Sequence, residues 1–244
     1  MPDNHKPKPD AIAVIPARGG SKRIPRKNIK LFHGKPMLAY SIEAARACGE
    51  FKRIVVSTDD EEIAQTARAL GAEVPFMRPA VLSDDYATTM DVMQHAIRAL
   101  QQAGESADLT CCIYATAPLL RPQFLNAAAQ ILRNDPAADY VFSVTHFDFP
   151  VQRALVCNAQ GQIDALYPQY RDTRSQDLPE AFHDAGQFYW GRSAAWLSGE
   201  VLYSPRARPV ILPRYLVQDI DTPDDWRRAE YMYAAMLADG TALS

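Results

Sequence analysis

The segment Pro16-Ala17-Arg18-Gly19-Gly20-Ser21-Lys22-Arg23-Ile24-Pro25-Arg26-Lys27-Asn28 concentrates the residue types that bind polyanions. From Arg18 to Lys30 there are six basic residues (Arg18, Lys22, Arg23, Arg26, Lys27 and Lys30) and no acidic one. In a chain with a formal net charge of −3, that focusing points to a bound polyanion. Gly19 and Gly20 let the backbone approach a ligand closely, and successive N–H groups in such a turn form an anion-binding concavity. Neither GxxxxGK[ST] nor GxGxxG is present, which argues against a P-loop ATPase and a dinucleotide oxidoreductase. On these residues alone, an exposed basic surface loop, or one that contacts RNA, stays open as the alternative.

A second set of residues lies near the C-terminus, in Val217-Gln218-Asp219-Ile220-Asp221-Thr222-Pro223. In an extended segment Asp219 and Asp221 point to the same side while Ile220 points into the core. With no basic neighbour in sequence, the two carboxylates would repel each other unless a cation lies between them. Mg²⁺, held by one or two carboxylates together with substrate phosphates, suits such a pair. The other reading is that Asp221 only orders the start of the helix behind Thr222. Taken together, loop and carboxylate pair are the parts for phosphoryl or nucleotidyl transfer, with the base and the acceptor left open.

Positioning these groups requires a sheet. Ala11 to Ile15 reads as a buried strand that runs directly into the basic loop, the place where open α/β sheets bind ligands. A helix follows from about Pro36 to Cys48-Gly49. Phe51 to Ser57 is a second strand, and Asp59 with Glu62 reads as the capping box of a helix that Gly71 ends. Glu73 to Met77 reads as a short third strand and Asp85 to Gln102 as a helix. Leu109 to Tyr114 is a fourth strand, Pro122 opens a helix with Phe124, Ala128 and Ile131 on one side, and Tyr140 to Thr145 is a fifth strand. This alternation predicts an α/β fold, a mostly parallel sheet with helices on both faces.

The alternation then fails. Val151 to Val156 and Gln162 to Tyr167 read as a hairpin around Asn158-Ala159-Gln160-Gly161, and Pro168 to Asp184 lacks periodicity. Residues 147–184 are therefore expected to be an inserted arm that covers a site or meets a partner subunit. Ala185 to Trp190 and Pro209 to Pro213 return to strand character. Thr222, Pro223 and Asp225 mark the start of a last helix, with Trp226, Ala229, Tyr233 and Leu237 along one face. The domain spans 10–238, with 1–9 expected to be a mobile tail and 239–244 a second tail.

Composition limits the classes further. The 244 residues include 26 Lys and Arg against 29 Asp and Glu, which is not the basic excess of a dedicated nucleic-acid binder. The four cysteines (Cys48, Cys111, Cys112 and Cys157) form no CxxC pair and read as buried free thiols in a reducing compartment. Neither a signal peptide nor a spanning apolar segment is read from the chain, so a cytoplasmic, non-membrane protein is expected.

Over about residues 10 to 238 the chain resembles the cytidylyltransferases that activate acidic nine-carbon sugars, the CMP-N-acetylneuraminate synthetase family. The likeness is carried by Ile15-Pro16-Ala17-Arg18-Gly19-Gly20-Ser21-Lys22, Ile24-Pro25-Arg26-Lys27-Asn28, Gly34-Lys35-Pro36 and Ser57-Thr58-Asp59. It continues in Arg78-Pro79, Leu82-Ser83-Asp84-Asp85, Thr88 and Asp219-Ile220-Asp221. Cys112 to Pro118 and His183 to Trp190 look like the branch of that family that acts on pseudaminic acid. Tyr114 stands where the sialic acid branch has a glutamine associated with the sugar acid.

The resemblance implies a Rossmann-like nucleotide-diphospho-sugar transferase fold with a small dimerisation arm, a homodimer, Mg²⁺, and CTP with an acidic nine-carbon sugar as substrates. It implies no nucleic-acid or membrane partner. It places Ala17, Arg18, Gly19, Gly20, Ser21, Lys22, Arg26, Asn28, Arg78 and Ser83 on the nucleotide. Asp219 and Asp221 would bind the metal and, with Arg18 and Lys22, act in catalysis. Tyr114, His183 and Gln187 would meet the sugar. The expected reaction is attack of the anomeric hydroxyl of pseudaminic acid on the α-phosphorus of CTP, with N-acetylneuraminate or another acidic sugar as the alternative acceptor. A non-catalytic nucleotide sensor and a transferase for a deoxy-octulosonate are the other readings.

Overall fold

The computed structural model describes residues 10–241, so the expectations for 1–9 and for 242–244 lie outside the described residues. In chain order the elements begin with strand β1 (Ala11–Pro16), the short strands β2 (Leu31–Phe32) and β3 (Lys35–Pro36), helix α1 (Met37–Cys48), β4 (Phe51–Ser57), α2 (Glu61–Ala69) and α3 (Thr89–Gln102). They continue with β5 (Leu109–Ile113), α4 (Pro122–Asn134), β6 (Tyr140–His146), β7 (Leu155–Cys157), β8 (Ile163–Ala165), β9 (Phe182–Arg192), α5 (Ser193–Ser198), β10 (Ala207–Ile211) and α6 (Pro223–Ala238).

Six strands form the central sheet in the order β10-β6-β9-β5-β1-β4. β1 pairs in parallel with β4 and β5, and β10 in parallel with β6. β9 is antiparallel to both β5 and β6 and joins the two parallel halves. The fold is thus α/β with a mostly parallel sheet flanked by helices on both faces.

Alternation along β1 explains the two-sided burial. Ala11, Ala13 and Ile15 enter the core beneath α1 and α4, with Leu38, Ile42, Leu125 and Leu132. Ile12 and Val14 enter the opposite core with Met93, Ile97 and Leu100 of α3 and with Trp196. A third cluster joins the end of the basic loop to α6. Phe32 meets Tyr40, Trp226 and Tyr233 edge-on, with ring centroids 5.4, 5.5 and 5.5 Å away. This aromatic contact holds the N-terminal loop beside the carboxylates that precede α6.

Several boundaries differ from the sequence reading. Asp60, not Asp59, caps α2, accepting from the Ile63 N–H at 3.0 Å. Asp59 is one residue too early and accepts instead from the Gly19 N–H at 3.0 Å. Glu73 to Met77 is not a strand: only Glu73 bridges to Val55, because the chain turns away after one pairing. α3 begins at Thr89, since Thr88 and Asp91 form the capping box there. On α4 the buried face is Leu125, Ala128, Ala129 and Leu132, with Phe124 and Ile131 only partly covered. Met236 is buried on α6, while Leu237 is 50% exposed. Cys157 is exposed in the arm, whereas the other three thiols are buried as expected. α5 and the β2–β3 hairpin have no counterpart in the sequence reading.

Within 147–184, β7 and β8 form a separate antiparallel pair joined through Asn158–Gly161. Leu155 and Ile163 are 66% and 67% exposed on it. Among the described residues no helix is long and apolar enough to cross a membrane.

Gly191 tests the packing of the central strand. A Cβ there would lie 2.3 Å from Trp196 Nε1 and 2.7 Å from the Tyr140 ring. Both neighbours are buried, and the indole donates to the Thr110 carbonyl at 3.1 Å. Gly191→Ala is therefore expected to destabilise the fold by about 2 kcal/mol, the range of core overpacking. Urea unfolding would show this as a lower midpoint at an unchanged slope.

Candidate active site

The basic loop leaves β1 along a path fixed by the backbone. The Ala17 N–H donates to the Ser57 carbonyl at 2.9 Å, which keeps the strand pairing one residue past the sheet. The Asn28 side chain returns to donate to the Arg18 carbonyl at 2.9 Å, and Ile24 is buried in the aromatic cluster. Gly19 packs against Asp60, where an added Cβ would come within 2.8 Å of Oδ2. The loop is thereby pinned at both ends and at its middle.

Five of the six cations are met by carboxylates from other segments, and Lys30 by an aromatic ring. Arg26 has a positive φ of 57°, an uncommon conformation for this residue type. It is held there by Asp60 at 2.5 Å and by Glu62. Arg18 and Lys22 reach the two oxygens of Asp85 at 2.8 and 2.5 Å. Arg23 and Lys27 reach Asp221 at 2.8 and 3.3 Å, and Lys27 also donates to the Ile220 carbonyl. Lys30 lies 4.4 Å from the centre of the Trp226 ring.

A cavity of about 450 Å³ opens over this loop. Arg18, Ser21, Lys22 and Asn28 line one side, and Thr88, Thr89, Tyr114 and Ala115 the other. Asp221 lines it as well. Arg78 also lines it, and its Nε and Nη2 have no hydrogen-bond partner although the side chain is buried. Burial pushes the Arg78 pKa down from its ordinary value, with Arg18 adding repulsion and Asp59 opposing. A buried guanidinium with unpaired donors is a ready partner for a polar ligand. The Tyr114 hydroxyl meets Thr89 Oγ1 at 2.9 Å, and burial raises its pKa, so it stays a neutral phenol.

A second cavity, of about 610 Å³, has His183, Asp184, Asp219 and Arg228 in its walls. Solvent reaches Asp219, but the surrounding protein and the neighbouring Asp221 charge raise its carboxyl pKa above the ordinary value, opposed by Lys27. Asp221 faces the first cavity and Asp219 the second, so the pair marks where the two meet. Among the described residues no group of three or more His, Cys, Asp or Glu side chains forms a metal site.

Not every expected residue lines these cavities. Arg18, Ser21, Lys22, Asn28, Arg78, Tyr114 and Asp221 share the first, and His183 and Asp219 the second. Arg26 is turned to Asp60 and Glu62 and lines neither. Ser83 donates to the Pro79 carbonyl at 3.1 Å and also lines neither. Gln187 is buried, and its amide donates to the Leu216 carbonyl. Ala17 is buried, and Gly19 and Gly20 serve the course of the loop. The premise that Asp221 lacks a basic partner is corrected by Arg23 and Lys27, close in space and remote in sequence. Thr89 and Arg228 were not singled out in the sequence. The Thr88-x-x-Asp91 capping box, which starts α3 at the cavity, was a signal for the first of them.

The cytidylyltransferase family model matches residues 12–228, and the chain belongs to that family. It is 47% identical over 223 residues to a pseudaminic acid cytidylyltransferase of Campylobacter jejuni, covering 91% of this chain and 95% of the relative. It is 35% identical to N-acylneuraminate cytidylyltransferase A of Danio rerio, covering 89% of this chain and 49% of the relative. A solved CMP:2-keto-3-deoxy-manno-octonic acid synthetase complexed with CTP superposes with a TM-score of 0.68 at 21% identity, covering 95% of this chain and 99% of that one, and shares the fold.

The Asp60 anchor carries a pH signature. Its hydrogen bond from Arg26 holds its pKa below the ordinary 3.8. A depressed pKa contributes stability that is complete above the unfolded value and drains away as pH falls through the lower folded one. The stability advantage of the native protein over Asp60→Asn should therefore be constant near neutrality and shrink below about pH 4. Urea titrations across that range check it.

Proposed function

We propose that the chain transfers CMP from CTP to the anomeric hydroxyl of pseudaminic acid and releases pyrophosphate. The observation that carries this reading is the meeting of a cationic cavity and a second cavity at Asp219 and Asp221, in a chain 47% identical to an enzyme of that name. CTP would lie in the first cavity. Arg18 and Lys22 would exchange Asp85 for the triphosphate, and Arg78 would offer its unpaired N–H groups to the nucleoside. The sugar would enter the second cavity, with its reacting carbon beside Asp219. His183 would face it there, and Tyr114 would approach it from the first cavity.

In the transfer, the anomeric oxygen forms a bond to the α-phosphorus, and the bond from that phosphorus to the bridging oxygen of the leaving pyrophosphate breaks. The hydroxyl proton is released. The barrier is one of placement and charge. Lys22 and Arg18 would stabilise the charge that grows on the leaving group. Asp219 and Asp221 are the carboxylates that would hold Mg²⁺. The raised pKa of Asp219, and the absence of an ion pair to it among the described residues, fit a cation between the two. Bound there, Mg²⁺ would neutralise phosphate charge.

The hairpin of 147–184, with Leu155 and Ile163 exposed, is assigned to contact with a second copy in a homodimer. A nucleoside triphosphate donor suits a cytoplasmic setting.

Pyrophosphate release with CTP and Mg²⁺ should be seen with pseudaminic acid and be far slower with N-acetylneuraminic acid. Turnover of N-acetylneuraminic acid alone would keep the chemistry and overturn the sugar assignment. Lys22→Ala should lower kcat by about 100-fold, the effect of losing one charge contact to the transition state. A full-rate variant would remove Lys22 from the mechanism.

A further inference from the structure

The charged side chains in the second cavity can be paired off. Arg214 is taken by Asp148 at 2.9 Å. Oδ2 of Asp184 accepts from the hydroxyls of Tyr189 and Tyr203 at 2.5 and 2.7 Å, and Oδ1 accepts from the Gly186 N–H at 2.8 Å. His146 faces Glu180 at 3.7 Å. His183 has its Nδ1 at 2.8 Å from the Asp184 carbonyl. A carbonyl only accepts, so Nδ1 carries a proton and is spent on that contact. Asp219 is the carboxylate of the metal pair. Of the two arginines in this wall Arg214 is ion-paired, while among the described residues Arg228 has no carboxylate partner.

We propose that Arg228 is the anchor for the carboxylate of the acidic sugar, an assignment that rests on the acceptor reading above. The chemistry of the substrate class makes the position telling. In such sugar acids the carboxylate is attached to the anomeric carbon itself, so the group that grips it also sets the direction of the reacting hydroxyl. Arg228 shares its cavity with Asp219, which stands at the border with the nucleotide cavity. It projects from the second turn of α6, whose start is fixed by the Thr222–Asp225 capping box directly after the metal pair. Carboxylate anchor and metal carboxylates are thus held by one rigid segment. A guanidinium also matches a carboxylate with two parallel hydrogen bonds, which an ammonium does not. The cavity volume of about 610 Å³ lies within the ordinary range for small-molecule sites.

The test compares pseudaminic acid with its neutral C1 carboxamide, in pyrophosphate release at saturating CTP. The native protein should strongly prefer the acid. In Arg228→Gln the KM for the acid should rise about 10- to 100-fold, as expected on losing a hydrogen-bonded charge contact, with the KM for CTP unchanged. The preference for acid over carboxamide should collapse, and Arg228→Lys should recover part of it. Arg227→Gln, at a neighbouring arginine that reaches Asp224 and not the cavity, should behave as the native protein. A full preference for the acid retained in Arg228→Gln would overturn the assignment while leaving the proposed reaction intact. A native protein inert with every acidic sugar would remove the reaction and this assignment together.

Discussion

Six cations within one loop that holds no carboxylate of its own cannot be packed together unless negative charge is brought from elsewhere. The structure meets that constraint from three directions. The start of α2 supplies Asp60 and Glu62, the segment before α3 supplies Asp85, and the segment before α6 supplies Asp221. Each supplying segment ends in a helix start with a side-chain cap, which fixes where its carboxylate stands. The geometry of the loop is therefore a consequence of the topology that brings three helix N-termini to one edge of the sheet.

The contacts are not equivalent. Exposed ion pairs contribute roughly 0–1 kcal/mol each, so none of them alone holds the loop. Arg26 and Asp60 lie in the better covered part, beside Gly19 and with Arg26 in a left-handed conformation, and their role is architectural. Arg18 and Lys22 share a single solvent-reached carboxylate, Asp85, at the mouth of the first cavity. A triphosphate carries more charge and more acceptor oxygens than that carboxylate. Bound as proposed, it would exchange one weak partner for a stronger one and leave the architectural pair in place.

Much of this was legible in the sequence where the signal is local. The start of β1, the end of α1 at Gly49 with φ 71°, all of β4 and the capping box of α6 were read correctly because each depends on neighbours in the chain. What was misread depends on contacts made far along it. Asp59 and Asp60 are adjacent and chemically identical, and only the approach of Gly19 and Arg26 decides which one caps α2. Glu73 has strand-like neighbours but finds one pairing and no more. Gln187 carries a group suited to a sugar, yet its buried place on β9 lines neither cavity; its amide N–H donates to Leu216 while its side-chain oxygen is left without a partner. Arg23 and Lys27 stand nearly the whole chain away from Asp221, so inspection of its sequence neighbours could not find them.

That last correction changes the meaning of the carboxylate pair. Two residues apart and of one chemical type, Asp219 and Asp221 were equals in the sequence. In the fold Asp221 is paired with Arg23 and Lys27. Asp219 is crowded by protein and by Asp221, and its pKa rises. The asymmetry follows the border between the cavities: the compensated member faces the cationic side and the uncompensated member the other. A cation bound there as proposed would gain most from Asp219, which among the described residues forms no ion pair. On the proposed reading the less compensated carboxylate therefore lies on the acceptor side. There, a metal and an acidic substrate would reinforce each other only if the substrate's own charge is met separately, which is the requirement that an arginine on the same wall satisfies.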